Sequence, residues 1–532
     1  MNDIFDVVVV GAGPAGCAVA SRLADARPDL SVALLETGPG AHPSVVHAPF
    51  GIAATVPRPS ERNYAYKTVP QAELGGRCGY QPRGRGVGGS SLINAMVYIR
   101  GQKEDYESWA AAGCTGWGWS DVLPYFKRSE NNERGGDDLH GAGGPLNVAD
   151  PLDPSPFSQL FVRAAVEAGF PANRDFNGPV QEGVGLYQVF EKNGERWSAA
   201  RAYLDSKARS NLTVLANAQA LRLVLDEQRR ANGVIVLTGS GERLIGARRE
   251  VVLSAGAFGT PQLLMCSGIG PAGHLKAQGI AVLHDAPEVG GNLQDHLDYC
   301  VARLASSRDL IGVTPGFALQ FFGAVQRYKK ERRGLLTSNI SEAGGFLRSR
   351  PDLDRPDLQL HFCISPVDDH GRKRHYSRGF SVHVCGLRPE SRGTLRLASA
   401  DMRQAPLIDP RYLSALEDME TLLRGVRLVH RILAAPSIAK IPAKPLYDTS
   451  RESDDVLRER IRARADTIYH PVGTCRMGAD ERSVVDPQLR VRGVERLRIA
   501  DASVMPSIVS GNTQAPSAMI GEKAADMILS GV

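Results

Sequence analysis

The stretch DVVVVGAGPAGCAVASRLADARPDLSVALLE, residues 6–36, decides the fold. Its four consecutive valines form the unbroken apolar run of a strand buried on both faces. GAGPAG (11–16) follows at once, then the helical CAVASRLADA and a second strand, SVALLE. Glu36 closes the unit, 20 residues after Gly16. Each glycine has a separate steric task. Gly11 allows the tight turn, Gly13 lets a pyrophosphate approach the backbone, and Gly16 lets helix and strand pack closely. Pro14 and Ala15 open the helix whose amino end attracts phosphate. Glu36 would accept hydrogen bonds from an adenosine ribose, which disfavours a 2′-phosphate and hence NADP. The unit predicts a Rossmann-like dinucleotide domain in an α/β chain.

At 532 residues the chain is long enough for two domains, or for one large domain carrying an insertion. Its 63 basic and 58 acidic side chains are interspersed, which argues against nucleic acid as a partner. The eight cysteines form no C-x-x-C pair, so neither a zinc site nor a disulfide framework is expected, and no metal site is assigned. Reduced thiols and an acidic amino terminus without signal-peptide character point to the cytoplasm. FALQFFGAVQRYKK (317–330) has apolar residues at helical spacing followed by cations. It reads as an amphipathic helix packed on its neighbour, with peripheral contact at an inner membrane as the alternative.

Farther on, REVVLSAGAFGTPQLLMCSGIG (249–270) has a buried strand, a small-residue turn and an apolar helix, as if the first sheet were rejoined. Between about 301 and 460 the style changes to alternating stretches, LQLHFCI, FSVHVCGL and then GTLRLAS. These predict an antiparallel sheet with one face available to a ligand. RGRGVGGSSLINAMVYIRG (83–101) has more backbone freedom than packing needs. Gly88, Gly89, Ser90 and Ser91 would offer N–H and hydroxyl groups to phosphates or a ring edge, and Asn94 a carboxamide to a heterocycle.

Taken together, GAGPAG…LLE, GRGVGGSSLIN, GAFGTPQLLMCSGIG (256–270), VGGNLQDH (289–296) and the carboxyl-terminal YHPVGTCRMG…SGNTQAPSAMIGEKAADMI resemble the glucose–methanol–choline oxidoreductase family. The likeness runs nearly end to end and is nearest to its bacterial choline-, sorbose- and alkanol-dehydrogenase-like branch. It implies FAD, a Rossmann-like FAD-binding domain with an inserted substrate domain built on an antiparallel sheet covered by helices, and oxidation of an alcohol carbon. The implied boundaries are FAD domain at 1–155, 201–300 and 461–532, with substrate domain at 156–200 and 301–460. The resemblance makes His470 the general base and places Asn512 beside it to hold the substrate hydroxyl, with hydride passing to flavin N5. It also implies that Asp501 lies near the ribityl and pyrophosphate, that Ala220 meets adenine through its backbone, and that Thr513 and Gln514 face the flavin. Ile93 stands where covalently flavinylated members carry histidine, so noncovalent FAD is expected.

The chemistry of these residues agrees. A hydride leaves an alcohol carbon readily only as the hydroxyl proton is lost, and a neutral imidazole suits that duty near neutrality. TQAPSAMIGEKAADMILSG reads as a helix opening near Ala515, its amino end turned to the flavin's pyrimidine edge. His296 and His383 are read as core or hydrogen-bonding residues, and His361 and Phe362 as facing the substrate. With Phe321, Phe322 and Tyr376, Phe362 is too dispersed to make an aromatic cage for a quaternary ammonium. The partners expected are a small-molecule alcohol and an electron acceptor, whether a quinone, an electron-transfer protein or oxygen. Two rival readings share the scaffold: an oxygen-using alcohol oxidase, and a hydroxynitrile lyase that keeps FAD without redox turnover.

Overall fold

The computed structural model describes residues 3–531. Strand β1 (Asp3–Val10) leads through the glycine turn into helix α1 (Pro14–Ala26) and strand β2 (Val32–Leu35). β1 lies parallel to β2, with Val7 opposite Val32 and Val10 opposite Leu35. Val7, Val8 and Val9 are fully buried because helices cover one face of this sheet and the rest of the molecule the other. The sheet has seven strands. Its order runs Leu212–Leu215, β2, β1, Gly241–Leu253, Ala231–Thr238, Gln219–Leu225, with Leu497–Ile499 also pairing to Gly241–Leu253. The sheet is thus rejoined downstream, and its parallel part carries an antiparallel meander at residues 219–253.

A second seven-stranded sheet is antiparallel. Its order is Ala443–Pro445, Leu297–Ala305, Gly379–Gly386, Leu358–Cys363, Ala343–Leu347, Gly183–Leu186, with Asp466–Thr467 beside Leu297–Ala305. One face packs under helices Pro156–Glu167 and Leu416–Leu433, the latter burying Met419, Leu422, Val426, Val429 and Leu433 at helical spacing. The other face turns to the interior cavity. Strand Leu358–Cys363 makes the division plain, because Leu358, Leu360 and Phe362 join the helix-covered core while His361 and Cys363 line the cavity. GTLRLAS departs from expectation. Its strand, Thr394–Arg396, forms a separate hairpin with Leu407–Asp409 and is not part of the large sheet.

The family fold expected from the sequence, an α/β domain for the dinucleotide beside an antiparallel substrate sheet, is the one observed. No helix among the described residues is long and apolar enough to cross a membrane.

Candidate active site

A single cavity of about 1320 Å³ runs from the glycine turn between the sheets to the face carrying His361. The turn is built for close approach. Gly11 has φ of 103°, and a side chain there would strike the Ser254 carbonyl. One on Gly16 would strike the Gly11 carbonyl. At Gly13, by contrast, a Cβ would meet nothing nearer than 4.0 Å, so its backbone is open to the cavity. Pro14 and Ala15 line the same wall.

Glu36 has a task that the sequence did not disclose. Its Oε2 accepts from Ala12 N (3.1 Å), and its Oε1 from Gly38 N (2.8 Å) and Gly86 N (2.9 Å). One carboxylate therefore ties the glycine turn to the 84–89 loop, and Oε2, which accepts only once, keeps a lone pair for a ribose hydroxyl. Asp501 works similarly, accepting from Gly256 N and Thr260 Oγ1 through Oδ2 and from Ser503 N through Oδ1. Burial raises the pKa of each of these carboxyls.

Gly89, Ser90, Ser91, Asn94, Ala220, Thr513 and Gln514 also line the cavity. Three of the expected ligands are otherwise engaged. Gly88 does not line the cavity, since its N–H is spent on the Ala12 carbonyl at 2.7 Å. The Ser91 hydroxyl donates to Gly88 O and accepts from Ala199 N, so it fastens the loop. The Asn94 Oδ1 accepts from Met96 N and Arg196 Nη1, while its Nδ2 donates to Gln514 Oε1. Asn94 thus orients Gln514, whose buried Nε2 is left without a partner. An orphaned amide donor, an open Gly13 backbone and a carboxylate oxygen with a lone pair to spare fit a dinucleotide with a heterocyclic ring.

At the other end lies a histidine relay. His296 Nε2 donates to the Leu387 carbonyl (3.0 Å), a group that can only accept. Its Nδ1 must therefore carry the lone pair, and it faces His470 Nδ1 at 3.0 Å. The proton between them belongs to His470 Nδ1, which leaves His470 Nε2 as a base. Asn512 Nδ2 lies 3.1 Å from that nitrogen. The amide cannot turn over, because its Oδ1 accepts from Gln359 Nε2 at 3.0 Å. Asp295 fixes the backbone, accepting from His470 N at 2.8 Å.

Electrostatics keep the relay neutral. Burial, then the charges of His296, His361 and Arg83, hold the His470 pKa well below the ordinary imidazole value. Burial takes His296 down to about 4, and burial with the His383 and His296 charges takes His361 down to about 3. His383 goes the other way: burial opposes its charge, but the Asp298 carboxylate at 2.6 Å raises its pKa well above the usual range. The depressed trio has a consequence for stability. Unfolded imidazoles bind protons below about pH 6.5 that the folded ones refuse, so stability present above that pH is lost on acidification. The unfolding free energy from denaturant titration is expected to fall between about pH 6.5 and 4, by about 1.4 kcal/mol per pH unit for each such histidine. His361→Asn makes that decline shallower.

His361 lines the cavity with both ring nitrogens buried and unpartnered, ready for a ligand. Phe362 does not. Strand parity turns it to the opposite face, where it is fully buried and stacked on Phe161 at 4.7 Å. Phe362→Ala is expected to cost about 3–5 kcal/mol in urea unfolding and to leave KM for alcohols unchanged. Phe322 and Tyr376 are exposed, at 68% and 86%, and line no part of the cavity. Of the other relay members, His296 was read as a core or hydrogen-bonding residue, which it is, without its place beside His470, and Gln359 was not singled out. Only the VGGNLQDH motif pointed to the first, and nothing local pointed to the second.

Residues 5–298 match the amino-terminal family model described as GMC oxidoreductase, and residues 389–521 its carboxyl-terminal counterpart. The chain is 48% identical to an alcohol dehydrogenase [acceptor] of Pseudomonas putida, covering 99% of this chain and 96% of that one. It is 42% identical to human mitochondrial choline dehydrogenase, covering 99% and 90%. Among solved structures it resembles formate oxidase of Aspergillus oryzae RIB40, studied for modification of its FAD, with a TM-score of 0.91, 28% identity and coverage of 99% and 98%.

Proposed function

Because the chain belongs to the GMC oxidoreductase family, whose enzymes use FAD, we propose that it oxidises an uncharged primary alcohol bearing an apolar tail, with His470 as general base. It is an FAD-dependent alcohol dehydrogenase by family, and its electrons pass to an acceptor. The observation that carries the finer reading is the His296–His470–Asn512 chain, which leaves one unprotonated imidazole nitrogen facing the cavity beside an amide donor.

Bound FAD supplies a ring that takes hydride from the carbinol carbon. Gly13, Glu36, Asp501 and Gln514 would hold it. The protein's own part is the proton. A carbinol oxygen that displaces the Asn512 Nδ2–His470 Nε2 contact would donate its proton to the imidazole nitrogen and accept from the amide. Gln359 keeps the amide turned the right way, and the His296 lone pair stabilises the imidazolium that forms by accepting its Nδ1–H. The helix Gln514–Leu529 opens at the cavity, and its amino end adds positive potential there.

The lining supports the substrate class. Ile311, Val313, Phe317 and Val56 line the substrate end, and the only carboxylates among the described lining residues are Glu36 and Asp501, both at the dinucleotide end. A quaternary ammonium would find neither a carboxylate nor an aromatic cage. An alkanol tail would find an apolar wall.

Anaerobic mixing of holoenzyme with matched alcohols tests the reading. A medium-chain primary alkanol is expected to bleach the yellow flavin and choline to leave it oxidised. Failure of every alcohol, together with cleavage of a cyanohydrin to aldehyde and cyanide, would establish the lyase instead.

A further inference from the structure

Helix Pro315–Glu331 packs only one side of itself. Phe321 meets Phe50 at 5.5 Å, and Tyr328 is buried with Leu336. The opposite side presents Leu319, 79% exposed, and Phe322 one turn later, 68% exposed. These apolar groups do not sit at a random place on the surface. Phe317 at the start of the helix and Val313 just before it line the substrate end of the cavity, and Val313 is itself exposed. The segment 371–378 abuts them, since Gly312 bridges to Arg378 and the Arg378 guanidinium lies 5.4 Å from the Phe317 ring. That segment carries Tyr376, the most exposed large apolar side chain of the described residues, at 86%.

Cations frame the same patch. Arg372, Lys373 and Arg374 are exposed at the cavity edge with Arg58, and Lys329 and Lys330 end the helix. Arg327 and Arg372 are paired with Glu331 and Asp369, whereas Lys329, Lys330, Lys373 and Arg374 have no ion-pair partner among the described residues. A leucine and two aromatic rings, flanked by the unpaired Lys329, Lys330, Lys373 and Arg374, match an interface of acyl chains beneath anionic headgroups. A water-facing role would leave this apolar surface unexplained.

We propose that the outward face of helix Pro315–Glu331, with Tyr376 and its neighbouring cations, docks on an anionic lipid bilayer and sets the substrate mouth against it. Alcohols dissolved in the membrane would then enter without crossing bulk water. This last step rests on the apolar-alcohol reading, and the docking itself does not.

Holoenzyme should be sedimented with vesicles of phosphatidylcholine alone and of equal parts phosphatidylcholine and phosphatidylglycerol. At low salt, partition onto the anionic vesicles is expected to exceed that onto the neutral ones by roughly tenfold or more, and to collapse in about 0.5 M salt. Leu319→Glu with Phe322→Glu should lower it at least about tenfold. Lys329→Glu with Lys330→Glu should lower it on anionic vesicles only. Both variants should oxidise a short water-soluble alcohol at the wild-type rate, which certifies their fold, and a long-chain alcohol held in vesicles more slowly. Wild-type protein that stays in the supernatant at low salt, or variants that partition like wild type, overturn the proposal. So does a dimer in free solution that Leu319→Glu with Phe322→Glu splits without any vesicle binding, because a second copy would then cover the patch. Vesicle binding without flavin bleaching would instead sink the alcohol reading and leave the docking intact.

Discussion

Replacing His470 with alanine is expected to lower kcat for alcohol oxidation roughly 10³-fold while KM changes little, as measured under steady-state turnover. The size follows from the absence of a substitute base beside the carbinol. Asn512 has no proton affinity at working pH, and the amide Gln359 holds its donor side toward the site. His361 also lines the cavity, but with a pKa of about 3 it is a weak base. Its own two nitrogens lack partners, so a ligand satisfies them without moving a proton. His296→Asn tests the relay more gently. The His470 Nδ1–H loses the acceptor that fixes its tautomer, and kcat is expected to fall roughly 10- to 100-fold with little change in KM.

Replacing Glu36 with alanine should have the other large effect, on assembly and not on chemistry. Three backbone N–H groups, of Ala12, Gly38 and Gly86, converge on this carboxylate. Their loss as a set leaves three donors without an acceptor in a buried site and is expected to cost about 3–5 kcal/mol. The glycine turn and the 84–89 loop would part, so flavin should be lost on desalting, read as the ratio of flavin to protein absorbance. Glu36→Gln keeps one acceptor oxygen and should fall between. Unchanged flavin content and unfolding midpoint in the alanine variant would mean that the carboxylate does not fasten this corner.

What the sequence disclosed depended on how local the determinant was. The glycine turn was readable because three steric tasks fall within six residues, and Glu36 because the unit's length is fixed by one strand, one helix and one strand. His470 and Asn512 were readable only through the resemblance, since 42 residues separate groups that the fold brings to 3.1 Å. Phe362 was misplaced because strand parity decides its face, and a one-residue choice between His361 and Phe362 cannot be made from an apolar run alone. Gly88 and Asn94 were taken as direct ligands. Their hydrogen bonds instead hold the residues beside them, and such supporting roles depend on pairs like Gly88–Ala12 and Asn94–Gln514 that no spacing announces. His296 was legible as a core or hydrogen-bonding residue, but its pairing with His470 was hidden for the same reason. Its function resides in which carbonyl, that of Leu387, it meets across 91 residues.

Single-turnover flavin reduction by an alcohol without oxygen, followed against pH in wild type and His470→Ala, tests the proton step itself. With a base already unprotonated near neutrality, the wild-type rate should be flat above about pH 6.5. In the variant the proton must leave to solvent, and the residual rate should climb roughly tenfold per pH unit as alkoxide becomes available. Parallel profiles at similar rates in the two proteins would contradict the assignment of His470 as the base.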